Sequence, residues 1–160
     1  ILEELNKEII TVLSQSSGGE IQDGMDISIC LVDKKTKEMH FSGARNGIII
    51  IQNGKSIRLQ ADLLPVGGHY SSGKKKLNRT YNTQSISLSN TDWVFMYSDG
   101  FHDQLDGKTF TSLGIDEFEN TLKELAADPN NAKGKLQKQL DQWRGEMAQL
   151  DDILVLGFQL

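Results

Sequence analysis

Three carboxylates lie at the ends of predicted strands and could hold a divalent metal ion. Asp99 follows the apolar run at 93–98, and Asp151 and Asp152 begin the β-rich closing segment. If the two strands are antiparallel neighbours, the three acids fall at one edge of a sheet. Carboxylate oxygens are hard ligands that suit Mg²⁺ or Mn²⁺ better than zinc. The same residues are also compatible with an ordinary Asp-Gly turn and a strand cap, since Asp-Gly turns are common.

Other catalytic chemistries find little support. His40 falls in a predicted strand, and His69 and His102 fall in loops without an HExxH pattern. The single cysteine, Cys30, excludes a zinc knuckle and is interpreted as a small core residue. The sequence has no GxSxG nucleophile elbow and no GxxxxGK[ST] phosphate loop. A metal-assisted reaction is therefore the chemistry that the residue types favour.

The composition of the chain limits the classes of protein to which it can belong. The chain has 160 residues, 38% hydrophobic and 24% charged, which is typical of one globular domain. A formal net charge of -5 disfavours nucleic-acid binding as the main role. The longest apolar run is far shorter than a membrane span, and no signal-peptide pattern opens the chain. With one cysteine, these features predict a cytoplasmic domain, in a parent protein that other domains could anchor at a membrane.

The elements that must position the carboxylates follow from periodicity. Helical stripes predict helices, alternating runs predict strands, and Asn53-Gly54 predicts a tight hairpin. Consecutive antiparallel strands with the helices grouped apart favour an α+β fold. The predicted helices lie at 1–14, 115–127 and 135–147. The predicted strands lie at 25–33, 38–44, 47–60 (as the hairpin), 81–89, 93–98 and 150–160, the last long enough to be central, and a loop is predicted at 63–78.

Five segments together resemble the SpoIIE-type serine/threonine phosphatases, the bacterial branch of the metal-dependent, type 2C-like protein phosphatases. They are DGMDISICLVD, FSGARNGIIII, LLPVGG, VFMYSDGFHDQ and WRGEMAQLDDILVLGF, in the order and spacing of that family. The resemblance covers nearly the whole chain and is nearest to output domains of bacterial sensor proteins. It implies an α/β/β/α sandwich of two antiparallel sheets.

The resemblance also implies site residues and a mechanism. Asp99 matches the metal-binding aspartate of the (S/T)DG motif, and Asp151, with Asp152 beside it, matches the late aspartate motif; Asp99 and Asp151 would be the catalytic positions. Two Mn²⁺ or Mg²⁺ ions would activate a bridging water against phosphoserine or phosphothreonine. Gly100 would let the backbone pass close to the metals. The role of Asp26, which opens a strand, stays open between a ligand and a strand cap.

Further residues match the family less sharply. Gly43, Asn46 and Gly67 fall in motifs that we interpret as a strand-end turn and a loop needing positive φ. Lys74, Lys75 and Lys76 lie where the family has a variable flap beside the cleft, which could meet a substrate phosphate. A solvated lysine run is the alternative.

The chain departs from the family upstream. The GGD-type and AD.TGHG-type motifs, which supply further metal ligands, are not in this sequence. We therefore expect an N-terminally truncated single domain over 1–160, with weak or no metal binding and little activity of its own. An open strand edge would favour a homodimer. The complete parent would dephosphorylate a regulatory partner under the control of upstream sensor or repeat domains; the alternatives are a non-catalytic pseudophosphatase that relays a signal, or a plain interaction module.

Overall fold

A computed structural model of the protein describes residues 1–13, 15, 23–68 and 79–160. The chain divides into two units, one formed by Ile1–Gly47 with Leu59–Ser87 and the other by Ile48–Arg58 with Leu88–Leu160. In chain order the elements are α1 (Leu2–Val12), β1 (Gly24–Met25), β2 (Ile27–Asp33), β3 (Glu38–Ala44), β4 (Ile48–Gln52), β5 (Lys55–Leu59), β6 (Val66–Gly67), β7 (Gln84–Ser87), β8 (Trp93–Tyr97), α2 (Ile115–Ala127), α3 (Ala132–Arg144) and β9 (Val155–Phe158).

The first unit is built on the three-stranded sheet β2-β3-β7, with a separate short pair, β1-β6. Both pairings of the larger sheet are antiparallel, and Cys30 lies opposite Phe41. Helix α1 contributes the buried Leu2, which packs in one cluster with Ala44 and Val66. This arrangement follows from the apolar stripe along the helix, which is buried only by packing on another element.

Three sequence assignments in the first unit can be compared with the structure. Gly67 has φ of +73°, the left-handed conformation expected for this loop. A Cβ at Gly43 would lie 2.6 Å from the carbonyl oxygen of Asn46, so the strand-end turn there folds tightly on itself. Burial raises the pKa of the partly buried Cys30 thiol to about 11, which is the behaviour of a packed thiol rather than a reactive one.

The second unit is built on the four-stranded sheet β5-β4-β8-β9. The pairings of β8 with β4 and with β9 are antiparallel. The Asn53-Gly54 hairpin is confirmed: both residues have positive φ, 51° and 72°, as a two-residue hairpin turn of type I′ requires. The core of this unit joins sheet and helix side chains that are all at least nine-tenths buried: Ile49, Ile51, Phe95, Tyr97, Phe101, Leu113, Phe118, Leu122, Leu125 and Leu140.

The predicted α+β class with antiparallel sheets is confirmed, and several details of the prediction are wrong. The strand predicted at 25–33 is divided into β1 and β2, which belong to different sheets, and the strand predicted at 150–160 forms only at β9. β9 is the end strand of its sheet rather than a central one. Helix α3 begins and ends three residues earlier than predicted, because Gly145 with φ of +55° terminates it. The segment predicted as a loop contains the two-residue strand β6. Among the described residues, no helix has the length and apolar character needed to cross a bilayer.

Candidate metal centre

Asp99 stands where β8 leaves its sheet. The strand ends at Tyr97, Ser98 continues in an extended conformation, and Asp99 opens a one-turn 3-10 helix that runs to Phe101. The Asp99 carbonyl oxygen accepts the Asp103 N–H at 3.0 Å, which closes the turn. The Asp99 residue is exposed, whereas Gly100 and Phe101 are buried beneath it. The turn therefore leaves the Asp99 residue exposed to solvent while the two residues that follow it are packed in the interior.

Asp151 and Asp152 lie at the same edge of the sheet. β9 runs antiparallel to β8 with Tyr97 opposite Val155, so the residues that follow β8 face the residues that precede β9. Both aspartates are exposed. The Asp152 N–H donates to the Asp151 carboxylate at 2.7 Å, which orients that side chain. The structure thus brings Asp99, Asp151 and Asp152 to one edge, because the two strands are antiparallel neighbours, the condition on which the sequence analysis made this expectation depend.

The two carboxylate-bearing segments touch through their main chains. The Ser98 N–H donates to the Leu154 carbonyl oxygen at 3.0 Å, one bond beyond the end of the ladder. A Cβ built on Gly100 would lie 2.5 Å from the Asp152 carbonyl oxygen. That separation is too short for any side chain, so glycine is required here for a close backbone approach.

Two polar side chains that the sequence analysis did not single out also join these segments. The Ser98 hydroxyl donates to the Asp152 carbonyl oxygen and accepts the Leu154 N–H, each at 2.8 Å. The Gln104 side chain is fully buried and bonds to the main chain on the other side of Asp151. In the sequence, the only feature that links these two residues to the site is that both belong to the segment SDGFHDQ.

His102 lies three residues after Asp99 but belongs to the aromatic core. Its ring stacks on Phe118 at a centroid distance of 5.9 Å and meets Tyr97 edge-on at 5.6 Å. Its Nε2 lies 3.8 Å from the Asp103 carboxylate, and its buried Nδ1 has no hydrogen-bond partner among the described residues. These contacts give His102 a packing role.

The donors at this edge fit a hard divalent cation. In the described part of the chain, none of the Asp99, Asp151 and Asp152 carboxylates forms an ion pair with a basic side chain. Like charges gathered at one edge favour a cation that offsets their repulsion. Within residues 1–13, 15, 23–68 and 79–160, no group of three or more His, Cys, Asp or Glu side chains is arranged so that it could hold a metal ion. Asp99, Asp151 and Asp152 therefore share a sheet edge without forming such a group.

Two further sets of predicted residues remain, Asp26 and the lysine flap. Asp26 belongs to the first unit, between β1 and β2, where its carboxylate lies 3.7 Å from the exposed Arg45 guanidinium. Lys74, Lys75 and Lys76, the predicted flap, lie outside the described residues.

The chain matches one protein-family model, stage II sporulation protein E (SpoIIE), over residues 1–160. No curated protein matches it.

Several solved structures share its fold. The SiaA-PP2C domain of Pseudomonas aeruginosa is 23% identical with a TM-score of 0.82, over 99% of this chain and 59% of that one. The phosphatase domain of the cell fate determinant SpoIIE from Bacillus subtilis, presoaked with Mn, is 19% identical with a TM-score of 0.57, over 96% and 64%. The PPM Ser-Thr phosphatase MsPP from Mycobacterium smegmatis, in complex with cacodylate, is 11% identical with a TM-score of 0.59, over 99% and 72%. The chain thus spans less than two thirds of the first two.

Proposed function

The chain belongs to the SpoIIE family, a family of protein phosphatase domains, and we propose that it is the part of a metal-dependent serine/threonine phosphatase that carries two of its metal-binding segments. One observation carries the proposal. Asp99 and the Asp151–Asp152 pair reach the same sheet edge, exposed and joined by the β8–β9 ladder. A plain turn and a plain strand cap would not need the close approach of Gly100 to the Asp152 backbone.

Asp99, Asp151 and Asp152 would hold Mn²⁺ or Mg²⁺, which supplies Lewis-acid chemistry to water and to a phosphoryl group when bound. The contribution of the chain itself is to hold ligands in place and leave them accessible. The Ser98–Leu154 main-chain bond fixes the distance between the two segments, and the three side chains remain exposed to solvent. Substrate can approach from that open side.

The proposed substrate is phosphoserine or phosphothreonine on a regulatory protein in bacterial signalling. Support comes from the relatives: the Mycobacterium smegmatis protein is a Ser-Thr phosphatase, and the Bacillus subtilis protein is a phosphatase domain of a cell fate determinant. Control by sensor or repeat domains elsewhere in a longer protein belongs to the same proposal.

We further propose that the 160-residue chain alone turns over slowly. Mg²⁺ takes close to six oxygen ligands, and three carboxylates that each give one oxygen leave about half of that shell to water. A second candidate function is a non-catalytic relay domain that binds a phosphoprotein without hydrolysing it; it is favoured by the finding that no group of three or more His, Cys, Asp or Glu in the described part of the chain is arranged so that it could hold a metal ion.

A phosphopeptide assay with Mn²⁺ separates these functions, with the SiaA-PP2C domain as the positive control. The proposal predicts metal-dependent turnover far below that of the control, which Asp99→Asn lowers at least tenfold. Asp103→Asn removes a neighbouring exposed carboxylate and should change turnover little. Turnover that is equal in Asp99→Asn and the unaltered protein would contradict the role of Asp99, and turnover matching the SiaA domain would contradict the expected low activity. Phosphopeptide binding without any turnover would favour the relay function.

A further inference from the structure

Two side chains of the segment that carries Asp99 form hydrogen bonds to the main chain of the segment that carries Asp151 and Asp152. We propose that Ser98 and Gln104 are positioning residues that anchor the Asp151–Asp152 segment from both sides and so set its place relative to Asp99. This inference rests on the proposed metal-dependent function. It concerns side chains that bind no metal themselves and act only on the backbone between the ligands.

Ser98 anchors the side that leads into β9. Its hydroxyl donates to the Asp152 carbonyl oxygen and accepts the Leu154 N–H, both at 2.8 Å. Its own N–H donates to the Leu154 carbonyl oxygen at 3.0 Å. One serine therefore makes three bonds to a stretch of three residues, using both the donor and the acceptor capacity of its hydroxyl.

Gln104 anchors the side that leads out of α3. Its Oε1 accepts the Leu150 N–H at 3.2 Å, and its Nε2 donates to the Ala148 carbonyl oxygen at 3.2 Å. The residue is 0% exposed, so these bonds lie away from competing water. The Gln104 carbonyl oxygen in turn accepts the Trp143 indole N–H at 2.9 Å, which fixes the anchor to α3.

The arrangement suits a ligand-bearing loop. Residues 145–154 lie outside helices and strands, so the helix and sheet ladders leave most of their main-chain groups unpaired. Ser98 and Gln104 satisfy such groups on either side of the aspartates while leaving all three carboxylates exposed. Because outer interactions that orient metal ligands typically change affinity by 10–100-fold, the loss of one anchor should weaken metal binding measurably.

Ser98→Ala tests the inference, with two companion variants. Ser98→Thr keeps the hydroxyl at a strand end, where a β-branched residue is tolerated. Ser56→Ala is the matched control, because its hydroxyl bonds to Glu119 at 3.2 Å in the same unit and touches neither aspartate segment. Each protein is measured twice: by hydrogen exchange of the Leu154 amide without metal, and by Mn²⁺ titration.

The inference predicts at least tenfold faster Leu154 exchange and about tenfold weaker Mn²⁺ binding in Ser98→Ala, with both restored in Ser98→Thr and both unaltered in Ser56→Ala. Gln104→Met should accelerate exchange at Leu150 in the same way. Unaltered Leu154 exchange in Ser98→Ala would overturn the inference, as would faster exchange with unaltered Mn²⁺ affinity. If the unaltered protein binds no Mn²⁺ at all, the proposed function fails, and the exchange data alone then support or overturn the anchoring.

Discussion

Replacing Gly100 by alanine tests whether the close approach of the two segments matters. The added methyl carbon would lie 2.5 Å from the Asp152 carbonyl oxygen and 3.1 Å from its carbon. Both are main-chain atoms, so no flexible side chain can move aside. Ordinary van der Waals contact begins at about 3.4 Å, so the Asp152 carbonyl must retreat by about 0.9 Å. The Asp151–Asp152 segment must then shift away from Asp99.

The size of the effect follows from that displacement. Forcing one extra methyl group into a packed contact costs about 1–3 kcal/mol of unfolding free energy. A misplacement of roughly 1 Å in a reacting centre lowers activity about a hundredfold. Gly100 is not among the residues with positive φ, so the expected loss is steric rather than conformational. We expect Mn²⁺ affinity to fall at least tenfold, together with the loss of stability.

The assay pairs thermal unfolding in a chelator with Mn²⁺ titration, and Gly54→Ala is the control. Gly54 lies in the same unit with φ of +72° and nothing within 4 Å of an added Cβ. Its replacement should cost about 1–2 kcal/mol through backbone conformation alone and leave Mn²⁺ affinity unaltered. If Gly100→Ala binds Mn²⁺ as tightly as Gly54→Ala does, the close approach plays no part in holding the ligands.

Further predictions concern the stability of the fold and the reactivity of one thiol. Arg58→Met should lower the unfolding free energy, measured by urea titration, by about 1–2 kcal/mol. The substitution removes the 2.5 Å bond from Arg58 to the Glu119 carboxylate, which is only 10% exposed. The effect stays modest because the Arg58 side chain is itself 36% exposed. The hydrogen bond from Arg58 lowers the pKa of Glu119, so this pair stabilises the fold at neutral pH. In the unaltered protein that stabilisation should fade as the pH falls below about 4.3, the ordinary pKa of a glutamate side chain. In Arg58→Met this pH-dependent contribution should be missing. Cys30, whose pKa burial raises to about 11, should react with iodoacetamide at pH 8 about a hundredfold more slowly in the folded protein than in urea; equal rates would show that the thiol is exposed. Trp143→Phe should cost about 1 kcal/mol, because it removes the indole bond to the buried Gln104.

Hydrophobic periodicity and turn residues were sufficient to predict an element and its bounds where one local signal dominates. Helix α2 has the predicted bounds, because Phe118, Leu122 and Leu125 form a single apolar stripe that the sheet buries. The edge position of β9 was not predictable, since the length of an apolar run does not report how many neighbours a strand has. The shift of α3 arose because Asn131 and Gly145, both with positive φ, set its ends more strongly than the leucine spacing did.

The sheet edge that carries Asp99, Asp151 and Asp152 was likewise only partly predictable from the sequence. Asp99 and Asp151 could be placed together only on the condition that their strands are antiparallel neighbours, and the pairing of β8 with β9 meets that condition. Ser98 and Gln104 could not be assigned, because their bonds reach main-chain atoms 44 to 56 residues away and leave no spacing in the sequence. The metal role of the three aspartates stays a prediction.

The central claim is that Asp99, Asp151 and Asp152 hold a divalent ion at one sheet edge. We would titrate ¹⁵N-labelled protein with Mn²⁺, whose unpaired electrons broaden amide signals near its binding site even when binding is weak. We expect selective broadening at 98–102 and 150–154, which chelator reverses, Asp99→Asn abolishes and Asp103→Asn retains. Broadening that survives in Asp99→Asn, or that centres elsewhere, for example around Asp26, would contradict it.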